Sequence, residues 1–176
     1  SVKGVEVGFW KRLLSVLLEI LSRLLVFGWF CPPNTPRAKQ REFNRDNAAA
    51  IAMAGGPQLK KLLLSDPTNG QARLVELIRK ANPELADETN IQKTAADLLS
   101  ELTALYRHPL LDDERLAGLT HIMRDFSLPS FGGHPGDWLR KALSTDDPVQ
   151  GLLTHSSTQQ QHQAALTILV PKFGSL

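Results

Sequence analysis

The segment 126–138 (FSLPSFGGHPGDW) brings together the residues of this chain best suited to chemistry. His134 and Asp137 stand three positions apart among glycines. A histidine beside a carboxylate can take a proton from a substrate near neutral pH, the carboxylate stabilising the charged ring. Phe131 and Trp138 flank the pair and would supply apolar walls for a ligand. The same residues also have a structural reading, which the composition favours. In it Asp137 caps a helix over 138–143, His134 is solvated, and Phe131 and Trp138 fill the core. His134 and Asp137 are therefore the candidate catalytic pair, and Phe131 and Trp138, with Trp10 and Trp29, the candidate binding residues.

Other chemistry is thinner. His121 and Asp125 lie one helical turn apart and could share a metal, but a stable site needs a third ligand and none is in register. Cys31 is the only cysteine, which excludes a disulfide framework and any multi-cysteine zinc site. Its place after an apolar helix and before Pro32-Pro33 reads as a partly buried, inert thiol rather than a nucleophile. Gly55-Gly56-Pro57 could present a helix N-terminus to an anion, although a plain helix-helix turn is the simpler reading. The P-loop, the dinucleotide fingerprint, the nucleophile elbow and the zincin helix are absent. Neither a metal nor a cofactor is expected, and an enzymatic role is not the expectation these residues favour.

The elements that would position these residues are helical. Hydrophobic residues make up 42% of the 176 and charged residues 22%, a balance that supports a packed core and excludes a disordered chain. Leu and Ala are plentiful, and β-branched runs are scarce. The expected fold class is all-α: a helical bundle, or a short irregular α-solenoid of stacked helix pairs. The net charge of +2 hides an asymmetry. Residues 1–61 hold ten Lys/Arg against four Asp/Glu, for +6, whereas 62–176 hold ten against fourteen, for −4. The two parts can complement each other within one domain, or the basic front can face an anionic surface.

Residues 9–30 (FWKRLLSVLLEILSRLLVFGWF) form the most apolar stretch, close in length to a bilayer span. Lys11, Arg12, Ser15, Glu19, Ser22 and Arg23 recur every three to four residues, a single polar stripe on a helix that packs through Leu13, Leu17, Ile20, Leu24 and Phe27. A core helix is expected. The alternative is an interfacial helix touching a membrane surface through Trp10 and Trp29. Three regions follow: an amphipathic N-terminal helix (1–31), a basic Pro-containing linker (32–43) and a helical domain (44–176). Within the last, punctuation at Gly55-Gly56, Asp66-Pro67, Pro109 and Gly132-Gly133 separates helices near 44–54, 57–65, 71–81, 91–106, 113–126, 138–143, 149–153 and 158–170. The linker's Arg37, Lys39, Arg41 and Arg45 are interrupted by Glu42 and Asp46 and lack an aromatic platform, so a nucleic-acid partner is not expected.

Residues 70–105, with Leu74, Val75, Leu77 and Ile78 on one helix and Ala95, Ala96, Leu98, Leu99 and Leu102 on the next, resemble an armadillo or HEAT-type repeat. AMAGGPQLKKLLLSD (52–66) resembles the preceding junction, and 138–169 is a fainter echo. The resemblance implies a non-enzymatic protein–protein interaction domain, a scaffold or adaptor whose partner is another protein. Two alternatives stand beside it. One is a helical catalytic or regulatory domain of a bacterial effector acting on a recruited host protein, ubiquitin-ligase-like or GTPase-directed. The other is a peripheral membrane-binding module. A single cysteine makes a reducing, cytoplasmic compartment the default, including that of a host cell for an effector. The opening Ser-Val-Lys-Gly reads as an excised piece of a longer protein.

Overall fold

The computed structural model describes residues 2–27, 36–81 and 87–170, with side chains in the first segment from 8 to 24. Among these residues every regular element is helical. α1 (Val2–Leu21) runs into a 3-10 turn (Ser22–Phe27). α2 (Arg37–Ser65), α3 (Pro67–Ala81), α4 (Glu88–Tyr106) and α5 (Asp113–Asp125) are the long elements. The short α6 (Leu128–Phe131), α7 (Pro135–Leu143), α8 (Pro148–Thr154) and α9 (Gln159–Leu169) complete the chain.

α2 is the axis. Every residue from Asn47 to Gly56 is buried, and the helix packs against α1, α3, α4, α5 and α7. A helix buried all round needs small, apolar side chains on every face, and NAAAIAMAGG supplies them. One helix touching five others is the packing of a bundle; in a solenoid each repeat meets only its neighbours. α3 and α4, the pair that resembles a helical repeat, pack on each other and on α2.

The two glycines at 55–56 divide α2 as expected: Gly56 leaves helical geometry (φ 63°, ψ −157°), and a second helical stretch runs on from Pro57 across the kink. Pro57 lacks the N–H that would bond the carbonyl of Met53. That carbonyl instead accepts the Thr120 hydroxyl at 2.9 Å. The neighbouring Ala52 carbonyl accepts the phenol of the buried Tyr106 at 3.3 Å. Two hydroxyls from α5 and α4 thus satisfy the backbone at the break that the sequence predicts.

The linker expectation needs a correction. Residues 37–43 are the largely exposed first turns of α2, preceded by Pro36, with only Gln40 and Phe43 half-buried. Their charged, unbranched side chains are good helix formers. At 3.5 Å, Arg45 also reaches Glu101 on α4.

In α1 the polar stripe lies outward: Lys11, Arg12, Ser15, Glu19 and Ser22 are exposed, while Leu13, Leu17, Ile20 and Leu24 are buried. Among the described residues no helix is long and apolar enough to cross a membrane. Trp10, expected at the lipid-facing end of an interfacial helix, is buried at 2% exposure. Its indole N–H donates to Glu76 Oε2 at 2.7 Å, and the Arg73 guanidinium lies 5.6 Å over its ring. Trp29 and Cys31 lie outside the described residues.

Candidate functional site

The segment 126–138 folds into a tight corner. Ser127 caps α6, its hydroxyl accepting Ser130 N–H at 3.3 Å. Gly132 (φ 91°) ends that single turn in the left-handed region, where a side chain would be strained. The cap of α7 is not Asp137 but His134, whose Nδ1 accepts Gly136 N–H at 3.0 Å. The signal in the sequence was Pro135, a residue suited to the first helical position, which moves the helix start three residues upstream of Trp138.

This geometry fixes the histidine's chemistry. Nδ1 accepts, so it carries no proton, and the proton sits on Nε2, which faces Asn47 Oδ1 at 3.3 Å. The lone pair a general base would use is engaged by a backbone N–H. Burial against α2 lowers the pKa of His134 to about 4; the carboxylate of Asp137 opposes the shift and Arg140 assists it. Asp137 pairs with Lys141 at 3.0 Å across one turn of α7, and raises that lysine's pKa. As an acid in the first turn, it also suits the positive end of the helix dipole. The corner therefore joins His134 to α2, whereas Asp137 faces along its own helix.

Around it, α7 and α2 come into backbone contact. A methyl group at Gly136 would lie 1.8 Å from the Asp46 carbonyl oxygen, so only glycine permits this approach. Arg140 forms an ion pair with Asp46 beside the crossing. Burial raises the Asp46 pKa, and the Arg140 bond and charge oppose it.

Phe131 and Trp138 are core residues at 0% and 4% exposure. Their rings meet edge to face at 5.6 Å, and Phe126 joins Phe131 at 6.3 Å. The Trp138 indole N–H donates to Ser156 Oγ at 3.2 Å. Ser156 in turn donates to Leu152 O, so the ring ties α7 to α8.

His121 and Asp125 both lie exposed on α5. Among the described residues no three His, Cys, Asp or Glu side chains come together as a metal site.

Three surface features remain. An open groove of about 410 Å³ between α2, α4 and α7 is lined by Glu42, Arg45, Glu101, His108, Arg140 and Lys141, among others. Several of its charges pair with one another or with Asp46 and Asp137. A cleft of about 250 Å³ lies between α1 and α5 over the α2 kink. Finally, large apolar side chains stand exposed on the last two helices: Val149 (47%) and Leu153 (54%) on α8, and Leu166 (55%) on α9 with Val170 (60%) at its C-terminal cap. Each pair is spaced i, i+4 and so shares one face. The sequence reading missed these four. Val149 and Leu153 occupy apolar positions like those of a core helix, and only tertiary packing shows that α8 buries Gly151 and Leu152 instead.

No known family model matches the chain, and no curated protein or solved structure matches it.

Proposed function

We propose that this chain is a non-enzymatic interaction domain, an adaptor or scaffold module that presents rigid helices to another protein. The observation that carries the reading is the pair of exposed apolar i, i+4 couples on α8 and α9. Single exposed leucines are ordinary on a protein surface. Two spaced couples on consecutive helices are the pattern by which a helix face meets a partner. The helices beneath them are fixed by the Trp138–Ser156 bond and by Thr158, whose hydroxyl bonds Phe131 O at 2.9 Å. Such a surface binds with little ordering on its own side. The helical-repeat character of 70–105 belongs to the same proposal, as does a reducing compartment for a chain with one cysteine.

The test is photo-crosslinking in cells from a reactive residue at Leu153, compared with one at the exposed Gln92 of α4. The captured partner is then purified and the complex reassembled. Leu153→Glu with Leu166→Glu should weaken it at least tenfold, about 1.4 kcal/mol, without changing the fold. Equal capture at 92 and 153, or a reassembled complex indifferent to both substitutions, would refute the reading.

A further inference from the structure

The cleft between α1 and α5 has walls of opposite origin and a floor made by the α2 kink. Ala54 and Gly55 make an apolar floor with the exposed Gln58 at its edge, and Phe9, Leu13 and Val16 form the apolar wall on α1. Thr120 and Arg124 come from α5, and Arg12 stands on the α1 side. The walls are held at a fixed spacing. Thr120 bonds the floor at Met53 O, and Arg23 in the 3-10 turn donates to Met123 O at 3.2 Å while its guanidinium lies 5.6 Å over Phe126.

The charge of this cleft is one-sided. Arg12 and Arg124 are both exposed and line it from opposite walls, and no carboxylate is among its described lining residues. Neither arginine forms an ion pair with a described residue, in contrast to Arg45, Arg73, Arg79, Arg115 and Arg140. The exposed acids described on the same elements, Glu19, Asp113 and Asp125, do not line it. An apolar floor and wall edged by two arginines is complementary to an apolar chain ending in a carboxylate, since planar guanidinium forks match carboxylate geometry. The volume, about 250 Å³, falls under the roughly 300–1,000 Å³ of pockets for drug-sized ligands, so the ligand is short.

We infer that the α1–α5 cleft is a binding site for a small apolar monocarboxylate of the medium-chain fatty-acid class, its tail against Phe9, Leu13 and Val16 and its carboxylate between Arg12 and Arg124. The inference stands independently of the α8–α9 surface.

Calorimetric titration of the full chain with octanoate, octanol and octylammonium tests it. Octanoate should bind saturably at one site with a Kd below about 1 mM, and both comparison ligands at least tenfold more weakly. Arg12→Ala and Arg124→Ala should each weaken octanoate about tenfold, the loss of one charge-assisted hydrogen bond. The double variant Arg12→Glu/Arg124→Glu should reverse the preference toward octylammonium. Both positions are exposed, so unchanged helical circular dichroism accompanies each result. Octanoate binding that ignores the substitutions, equal binding of octanoate and octanol, or no saturable octanoate binding in the millimolar range would each overturn the assignment.

Discussion

Replacing Gly136 by alanine is the sharpest test of the α2–α7 crossing, because two effects compete with opposite signs. Gly136 lies inside α7 with an ordinary negative φ, so alanine should favour the helix by up to about 1 kcal/mol. Its methyl group, however, would sit 1.8 Å from Asp46 O, 2.8 Å from the Asp46 carbonyl carbon and 3.0 Å from Ala50 N. All three are backbone atoms of a helix buried from Asn47 onward, so no side chain can swing away. To reach an ordinary contact of 3.4 Å the two backbones must part by about 1.6 Å.

A gap of that size removes a large share of the dispersion contact made by Trp138, Leu139 and Ala142, and loosens the Asp46–Arg140 and Asn47–His134 contacts. Overpacking of this kind costs roughly 3–5 kcal/mol before the helix gain is subtracted, at or above the upper end of the usual range. The net expectation is a loss of about 3 kcal/mol. For a chain of this length that lowers Tm by about 6–12 °C. Gly8→Ala is the internal control: it is also in a helix, but nothing lies within 4 Å of its added methyl, so the same substitution should stabilise. Gly151→Ala, whose methyl would lie 2.1 Å from Ala142 O, should destabilise like Gly136→Ala. Urea and thermal unfolding of the three variants decide the matter. If Gly136→Ala proves as stable as the parent, the backbone contact at the crossing is wrong.

The remaining predictions address other parts of the core. The folded His134 has a pKa near 4 against 6.5 in the free side chain, so the unfolded chain binds more protons between these values. Stability is then fully present above pH 6.5 and declines as pH falls toward 4, by up to about 3 kcal/mol from this group. An NMR titration should show the His134 ring neutral at pH 5, and His134→Asn should flatten the loss of stability between pH 7 and 4.5; a ring that titrates near 6.5 contradicts the buried cap. Thr120→Val keeps the side-chain shape but leaves the Met53 carbonyl opposite Pro57 without its hydroxyl partner. A loss of about 1–3 kcal/mol in urea unfolding is expected, and a neutral result would mean that the kink does not depend on α5. Trp10→Ala should cost about 3–5 kcal/mol as a large-to-small core change, with vesicle co-sedimentation unaltered; a lipid-binding defect in a fully folded variant would restore the interfacial reading of α1.

Much of the helical punctuation was legible from residue chemistry that acts locally. Asp87, Asp112, Asp147 and Thr158 each accept a backbone N–H at the start of the helix they precede. These bonds span two or three residues, so the sequence carries them directly. The buried stripe of α4 (Ile91, Ala95, Leu98 and Leu102) follows from helical periodicity in the same way. The first turns of α2 were not legible, because residues 37–43 are mostly charged and exposed and show no apolar period. They are helical as a continuation of a segment that is buried further on. The candidate corner was legible as a place but not in its chemistry. The sequence brings His134 and Asp137 near each other, yet the partner that fixes the imidazole is Asn47, on a distant helix.

The residue sequence by itself determined that this chain is all-α and where α5, α8 and α9 begin, since caps, prolines and apolar periodicity act over one or two turns. The break at Gly55-Gly56-Pro57 was legible too, but only the tertiary structure decided that the carbonyl freed there is satisfied by Thr120 from another element. It also decided that Trp10 is core, that Val149 and Leu153 are surface, and that Arg12 faces the same cleft as Arg124. These outcomes depend on which helix lies against which. That choice is made by close approach at Gly136 and by the small residues of α2, and it leaves no periodic trace in the chain.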